Sequence, residues 1–293
     1  MSKEKIYRYD DDFKAKARKH QFLFKEMVLN DFYEEKNPQV ILSPDSARQG
    51  LIFCEEYRDL IREKRSFGTS ALFSNMLRSE HIPYNIFTPM EEDLNVATDL
   101  FNEIIGGGIL CIEKIEIEFA GDTDKSQYLQ DGTSFDAFIK YKSIDGKPGG
   151  IGIEVKYTEK GYPIGKEESD KIEKIDGPYR QMTKDSNYYI QNLDIKMFLK
   201  ANHLRQIWRN HILGYSMLKR GDIQYFCHIH LYPEGNKHFH EYAVPEYYKL
   251  LTEKGAKTFI PLTYEKLFDL LSKYFITEKQ IKWQEYLRSR YIV

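Results

Sequence analysis

The stretch "TSFDAFIKYKSIDGKPGGIGIEVKYTE", residues 133–159, decides the reading of this chain. It predicts two strands joined by a turn, with "IDGKPGG" supplying Gly and Pro at the corner. Strand side chains alternate faces, so Asp136 is expected to share a face with Phe138 and Lys140. In the second strand Glu154 and Lys156 share a face with Gly152, while Ile151, Ile153 and Val155 fill the other. Antiparallel pairing would let Asp136 lie beside Glu154. Two readings compete for these charges. One is a solvated hairpin with cross-strand ion pairs, each contributing roughly 0.2–1 kcal/mol. The other is metal-assisted chemistry on phosphate. Two carboxylates on rigid strands suit Mg²⁺, a hard cation that takes oxygen ligands. A lysine two residues on can stabilise developing charge or help orient and deprotonate a water. Gly152 beside Glu154 leaves room for a close approach that a decorative face does not need.

The flanking segments favour the second reading. "TPMEEDLNVATDLFNEIIGGG", residues 88–108, predicts a helix with Thr88 as N-cap, Pro89 in the first turn, Glu91 at the capping-box position and three glycines as a stop. "ILCIEKIEIEFA" follows, with apolar and charged residues alternating as in a half-buried strand. After the hairpin, residues 160–195 are polar and irregular and predict an insertion or flexible loop. "IKMFLKANHLRQIWRNHILGYSMLKRG" predicts a long helix or helix pair ended by Gly221, and "IQYFCHIHLYP" a strand closed by Pro233. Two helices follow, one capped by Thr263 and one over 276–293. Upstream of residue 88 the chain reads as mostly helical: 10–35, 51–65, and a short helix over 69–83 opened by Thr69 or Ser70. The expected organisation is a helical N-terminal extension over 1–87 and an α/β core over 88–293, packed as one compact unit.

The order helix, strand, strand with Asp136, strand with Glu154-Val155-Lys156, helix, strand resembles the PD-(D/E)XK nuclease superfamily and its restriction-endonuclease-like fold. Phe135 stands where the family's usual proline precedes the aspartate. The pieces "RQIWRNHILGYSM" and "KWQEYLRSRYI" look like those of an uncharacterised prokaryotic group within the superfamily. The resemblance implies a mixed central sheet flanked by helices and hydrolysis of nucleic-acid phosphodiesters, with DNA the expected substrate. It implies Asp136, Glu154 and the backbone carbonyl of Val155 as metal ligands, Lys156 as the catalytic lysine, and Mg²⁺ as the ion, with Mn²⁺ able to substitute. Members often add an acid from the first core helix, for which Glu103 has the spacing. Its place off the apolar stripe of Leu94, Ala97, Phe101 and Ile104 favours a solvated glutamate instead. Some members use a glutamine on the following helix. Gln206 fits, on one face with Asn210, Leu213 and Met217.

Two rivals keep other features in play. The same fold can serve as an inactive nucleic-acid-binding subunit, against which the intact Asp136, Glu154 and Lys156 count. The pairs His228/His230 and His238/His240 could instead build a histidine metal centre. No zinc-finger, Walker or nucleophile-elbow pattern appears. Arg205, Arg209, Lys219, Arg220, Arg288 and Arg290, interleaved with Tyr and Trp, suit a phosphate backbone, although solvated helix faces account for each one singly.

Composition sets the outer bounds. The chain has 293 residues, 41% hydrophobic and 30% charged, enough for a sizeable core. A net charge of −2 neither favours nor opposes nucleic acid, because a local basic channel can sit on a neutral body. Three dispersed cysteines and the absence of an apolar leader or a membrane-length run predict a cytoplasmic protein with no membrane partner. The oligomeric state is open.

Overall fold

The computed structural model describes residues 7–33, 39–64, 73–161 and 163–293. Its centre is a five-stranded sheet in the order β1-β2-β3-β4-β5. The strands are β1 (Ile109–Phe119), β2 (Phe135–Ser143), β3 (Pro148–Val155), β4 (Tyr225–Tyr232) and β5 (Phe259–Thr263). β1, β2 and β3 pair antiparallel, whereas β3, β4 and β5 run parallel. This is the mixed sheet flanked by helices that the sequence order implies.

The helices in chain order are α1 (Asp12–Met27), α2 (Pro44–Gln49), α3 (Arg58–Lys64), α4 (Ile82–Phe87), α5 (Leu94–Ile105), α6 (Lys166–Glu173) and α7 (Pro178–Ser186). They continue as α8 (Met197–Lys200), α9 (Asn202–Arg220), α10 (Val244–Tyr248), α11 (Glu253–Lys257), α12 (Tyr264–Tyr274) and α13 (Glu278–Tyr291). Two cores form, one on each face of the sheet. Ala137, Ile139, Ile151, Ile153 and Val155 pack with α1, α5, α12 and α13 on one side. Phe138, Phe226 and Phe259 pack with α7 and α9 on the other. A helix fits each face because burial there is periodic: α9 hides Leu204, Ile207, Trp208, Ile212 and Leu213 at helical spacing.

Several expectations shift. The helix cap is Asp93, whose carboxylate accepts from the Val96 N–H; residues 89–92 form a separate 3₁₀ turn, so Thr88 does not open α5. The stop holds, with Gly106 in the left-handed region at φ 85°. No helix spans 73–81; α4 begins at Ile82, with Pro83 in its first turn, where a missing N–H costs nothing. The proposed cap at Thr69 or Ser70 lies outside the described residues, as do the ends of the first predicted helix at 34–35. Residues 160–195 are not a plain loop, since α6 and α7 form there. β5 went unread because it is a five-residue strand carrying Pro261, which a strand tolerates at a sheet edge.

Side-chain alternation also breaks at the start of β2. Phe135 and Phe138 lie in the same core, with ring centroids 5.3 Å apart. A Cβ at Gly152 would sit 2.3 Å from the Phe135 ring. The room left by that glycine is therefore filled by Phe135.

Candidate active site

The β2–β3 ladder runs through Phe138 opposite Gly152 and Ala137 opposite Ile153. The paired ladder ends there, and one further step of the same register would bring Asp136 to Glu154. There the backbone ladder gives way to a side chain: the Val155 N–H donates to Asp136 Oδ2 at 2.7 Å. The N–H and C=O of one strand residue point to the same neighbour. The Val155 carbonyl thus faces the gap beside the Asp136 carboxylate.

Glu154 is 1% exposed. Its Oε2 accepts from the Asn210 side-chain amide, which α9 lays across this face. Its Oε1 lies 2.6 Å from Lys156 Nζ, an ion-pair contact whose geometry falls short of a hydrogen bond. The end of β3 is held from several sides. Tyr264 donates its hydroxyl to the Lys156 carbonyl at 2.7 Å, the Lys156 N–H donates to Leu231, and Asn236 donates to the Tyr157 carbonyl. These bonds fix the strand that carries both charges.

The electrostatics follow from crowding two acids in a poorly hydrated place. Burial, and next the Glu154 charge, push the Asp136 carboxyl well above the ordinary aspartate range. Burial also raises Glu154, against the opposing pull of Lys156 and of the Asn210 amide. Burial works against the Lys156 charge, but Glu154 and Asp136 outweigh it and hold its pKa above the usual lysine value. Lys156 is therefore a cation at neutral pH.

This donor set suits a hard divalent cation. Asp136, Glu154 and the Val155 carbonyl offer oxygen only, and Glu154 Oε1 is a buried oxygen with no hydrogen bond. A cation between the carboxylates would relieve the repulsion that raises Asp136. Among the described residues no cluster of three or more His, Cys, Asp or Glu side chains could hold a metal ion. A bound ion would thus depend on two carboxylates, one carbonyl and water.

The remaining candidates fall elsewhere. Glu103 lies on α5, over the opposite face of the sheet, where its carboxylate takes Lys273 Nζ at 2.5 Å and the Tyr274 hydroxyl. It does not reach the carboxylates. Gln206 is half-buried one turn before Asn210 and makes none of the described hydrogen bonds to them. The amide that does so is Asn210, one turn on and on the helical face that the sequence groups with Gln206. The four histidines do not form a metal centre. His228 and His230 are buried on β4, whereas His238 opens a π-helical turn and lies 3.0 Å from the Lys160 carbonyl.

Arg209, next to Asn210, ties the surroundings together. It donates to Asp131, Thr133, Glu168 and Tyr179, joining the segment before β2, α6 and α7 to α9. Burial raises Asp131, but Arg209 together with the hydrogen bonds from Thr133 and Tyr179 outweighs it and lowers that carboxyl below the usual value. Arg290 is buried too, bonded to His81, the Ile52 carbonyl and Tyr286. These arginines hold the fold together.

The family model of the PD-(D/E)XK nuclease superfamily matches residues 8–293 of the chain. No curated protein and no solved structure matches it.

Proposed function

The chain belongs to the PD-(D/E)XK nuclease superfamily, and we propose that it cleaves DNA phosphodiester bonds with Mg²⁺, using Asp136, Glu154 and Lys156. The observation that carries this reading is the meeting of the three side chains. Asp136 is bonded to the Val155 N–H, and Glu154 is in contact with Lys156 and Asn210. A structural ion pair of Glu154 and Lys156 would not need a second carboxyl close enough to feel the Glu154 charge.

In this reading Asp136, Glu154 and the Val155 carbonyl hold the ion. The ion would supply Lewis-acid polarisation of the phosphate and lower the pKa of a coordinated water. The raised pKa of Lys156 favours one of its two possible roles. A lysine that stays protonated cannot act as a base, so it stabilises the charge that develops on the phosphate oxygens. Asn210 fixes the Glu154 carboxylate through Oε2. Such supporting bonds are worth about 10–100-fold in metal affinity or activity.

The test is a cleavage assay with Mg²⁺ or Mn²⁺ on linear, circular and single-stranded DNA, with RNA in parallel. The wild type is expected to cut DNA, and Glu154→Gln or Lys156→Gln to lose at least about 100-fold in rate while staying folded. Full activity in both variants would sink the site assignment. Cleavage of RNA alone would overturn the substrate.

A further inference from the structure

Two buried histidines on β4 remain outside this account. The ladder sets His228 opposite Gly152 and His230 opposite Glu154. Both are 0% exposed. They sit on the face covered by α9, where the His228 ring stacks on His211 with centroids 6.0 Å apart. His228 Nδ1 lies 3.1 Å from the Gly152 carbonyl, so this nitrogen donates and Nε2 is the acceptor. Among the described residues no group bonds His228 Nε2, and none bonds either ring nitrogen of His230. The rings nearest His230 are those of Phe239 at 4.9 Å and Tyr232 at 5.8 Å.

A buried polar atom without a partner costs about 1–3 kcal/mol. Folded proteins pair the great majority of such atoms with protein or ordered water. Here His230, with both ring nitrogens unbonded among the described residues, stands opposite Glu154 in the parallel ladder. Burial, then His228 and Lys156 nearby, depress the His230 pKa well below the usual histidine value, so the ring is neutral. A neutral imidazole offers one donor and one acceptor. Neighbouring strands lie about 4.8 Å apart, so one water can bond side chains on both.

We propose that His230 is a positioning residue for Glu154, acting through one buried water bonded to a ring nitrogen and to the Glu154 carboxylate. The bridge stands on the fold alone. Its consequence for ion binding rests on the nuclease reading above. Asn210 holds one oxygen of Glu154, and the His230 water steadies the other, which Lys156 contacts but does not bond squarely.

A high-resolution crystal structure of the whole chain tests the bridge directly. The expected result is an ordered water within about 3.2 Å of both a His230 ring nitrogen and the Glu154 carboxylate. No water in contact with His230 overturns the inference. Calorimetric Mn²⁺ titration then tests the consequence. His230→Leu is expected to weaken Mn²⁺ binding about tenfold and to lower kcat, with KM for DNA unchanged. His230→Gln, which keeps a donor and an acceptor, is expected to recover most of the affinity. Wild-type affinity in His230→Leu, or equal losses in both variants, overturns the positioning role. A wild type that binds no Mn²⁺ refutes the nuclease reading, and the water at His230 still decides this one.

Discussion

Lowering the pH from 7.5 to 5.5 is expected to destabilise this protein severely. His81, His211, His228 and His230 are all 0% exposed. Burial comes first in lowering each: His228 to about 3, and the others well below the usual value. Arg290 reinforces this at His81, where its guanidinium donates to Nε2 at 2.9 Å and claims the lone pair. The sign follows from proton counting. These folded pKa values are depressed, so below about pH 6.5 the unfolded chain binds protons that the folded chain refuses. The stability they contribute is full above that pH and is lost as pH falls. One pH unit below the unfolded value, each histidine forfeits about 1.4 kcal/mol, so the four forfeit about 6 kcal/mol. Asp136 and Glu154 act oppositely, because their pKa values are raised and a folded carboxyl retains a proton that the unfolded one has released. One proton retained between them would offset up to about 3 kcal/mol over the same interval. The net loss of about 3–6 kcal/mol is a large share of the roughly 5–15 kcal/mol that a folded protein has. The assay is urea unfolding of the metal-free protein at several pH values. At an m-value of about 3 kcal/mol/M, the midpoint should fall by about 1–2 M between pH 7.5 and 5.5. A midpoint constant over that range would refute the reasoning.

Asn210→Leu should weaken Mn²⁺ binding about 10–100-fold in calorimetry, because Glu154 Oε2 loses its amide donor. Asp136→Asn should abolish cleavage yet raise the metal-free unfolding free energy at pH 7.5 by on the order of 1 kcal/mol, since an amide sits beside Glu154 without having to take up a proton and keeps an acceptor for the Val155 N–H. Gly152→Ala should cost about 1–3 kcal/mol in urea unfolding, because its Cβ would sit 2.3 Å from the Phe135 ring. Glu103→Gln should cleave at the wild-type rate in the DNA assay, since its partners are Lys273 and Tyr274 on the outer layer.

Periodicity and end signals carried most of the fold. β1 alternates apolar and charged residues along its length, and Gly106 and Gly221 stop α5 and α9 in the left-handed conformation. Elements that depend on long-range partners were not legible. β5 is too short for a period and exists because β4 offers it an edge. α6 and α7 are polar outside and owe their place to Arg209, which reaches Glu168 and Tyr179 across 41 and 30 positions of sequence. The N-cap moved from Thr88 to Asp93 because Thr88 is itself buried, while the Asp93 carboxylate meets the Val96 N–H.

The site divides along the same line, and the reason is physical. Glu154 and Lys156 sit two apart on one strand, so their contact is local and readable. Asp136 joins them through register, which depends on the whole hairpin. It meets β3 through a bond that alternation does not foresee, its carboxylate accepting the Val155 N–H next to the Ala137–Ile153 pair. One carboxyl oxygen thereby completes the backbone bonding of β3 while the group as a whole faces Glu154. Fold and chemistry share this side chain. Asp136→Ala would leave the Val155 N–H without its acceptor as well as remove the proposed metal ligand, whereas Asp136→Asn separates the two roles. The pair of variants thus measures how far β3 depends on the residue that the proposed chemistry needs.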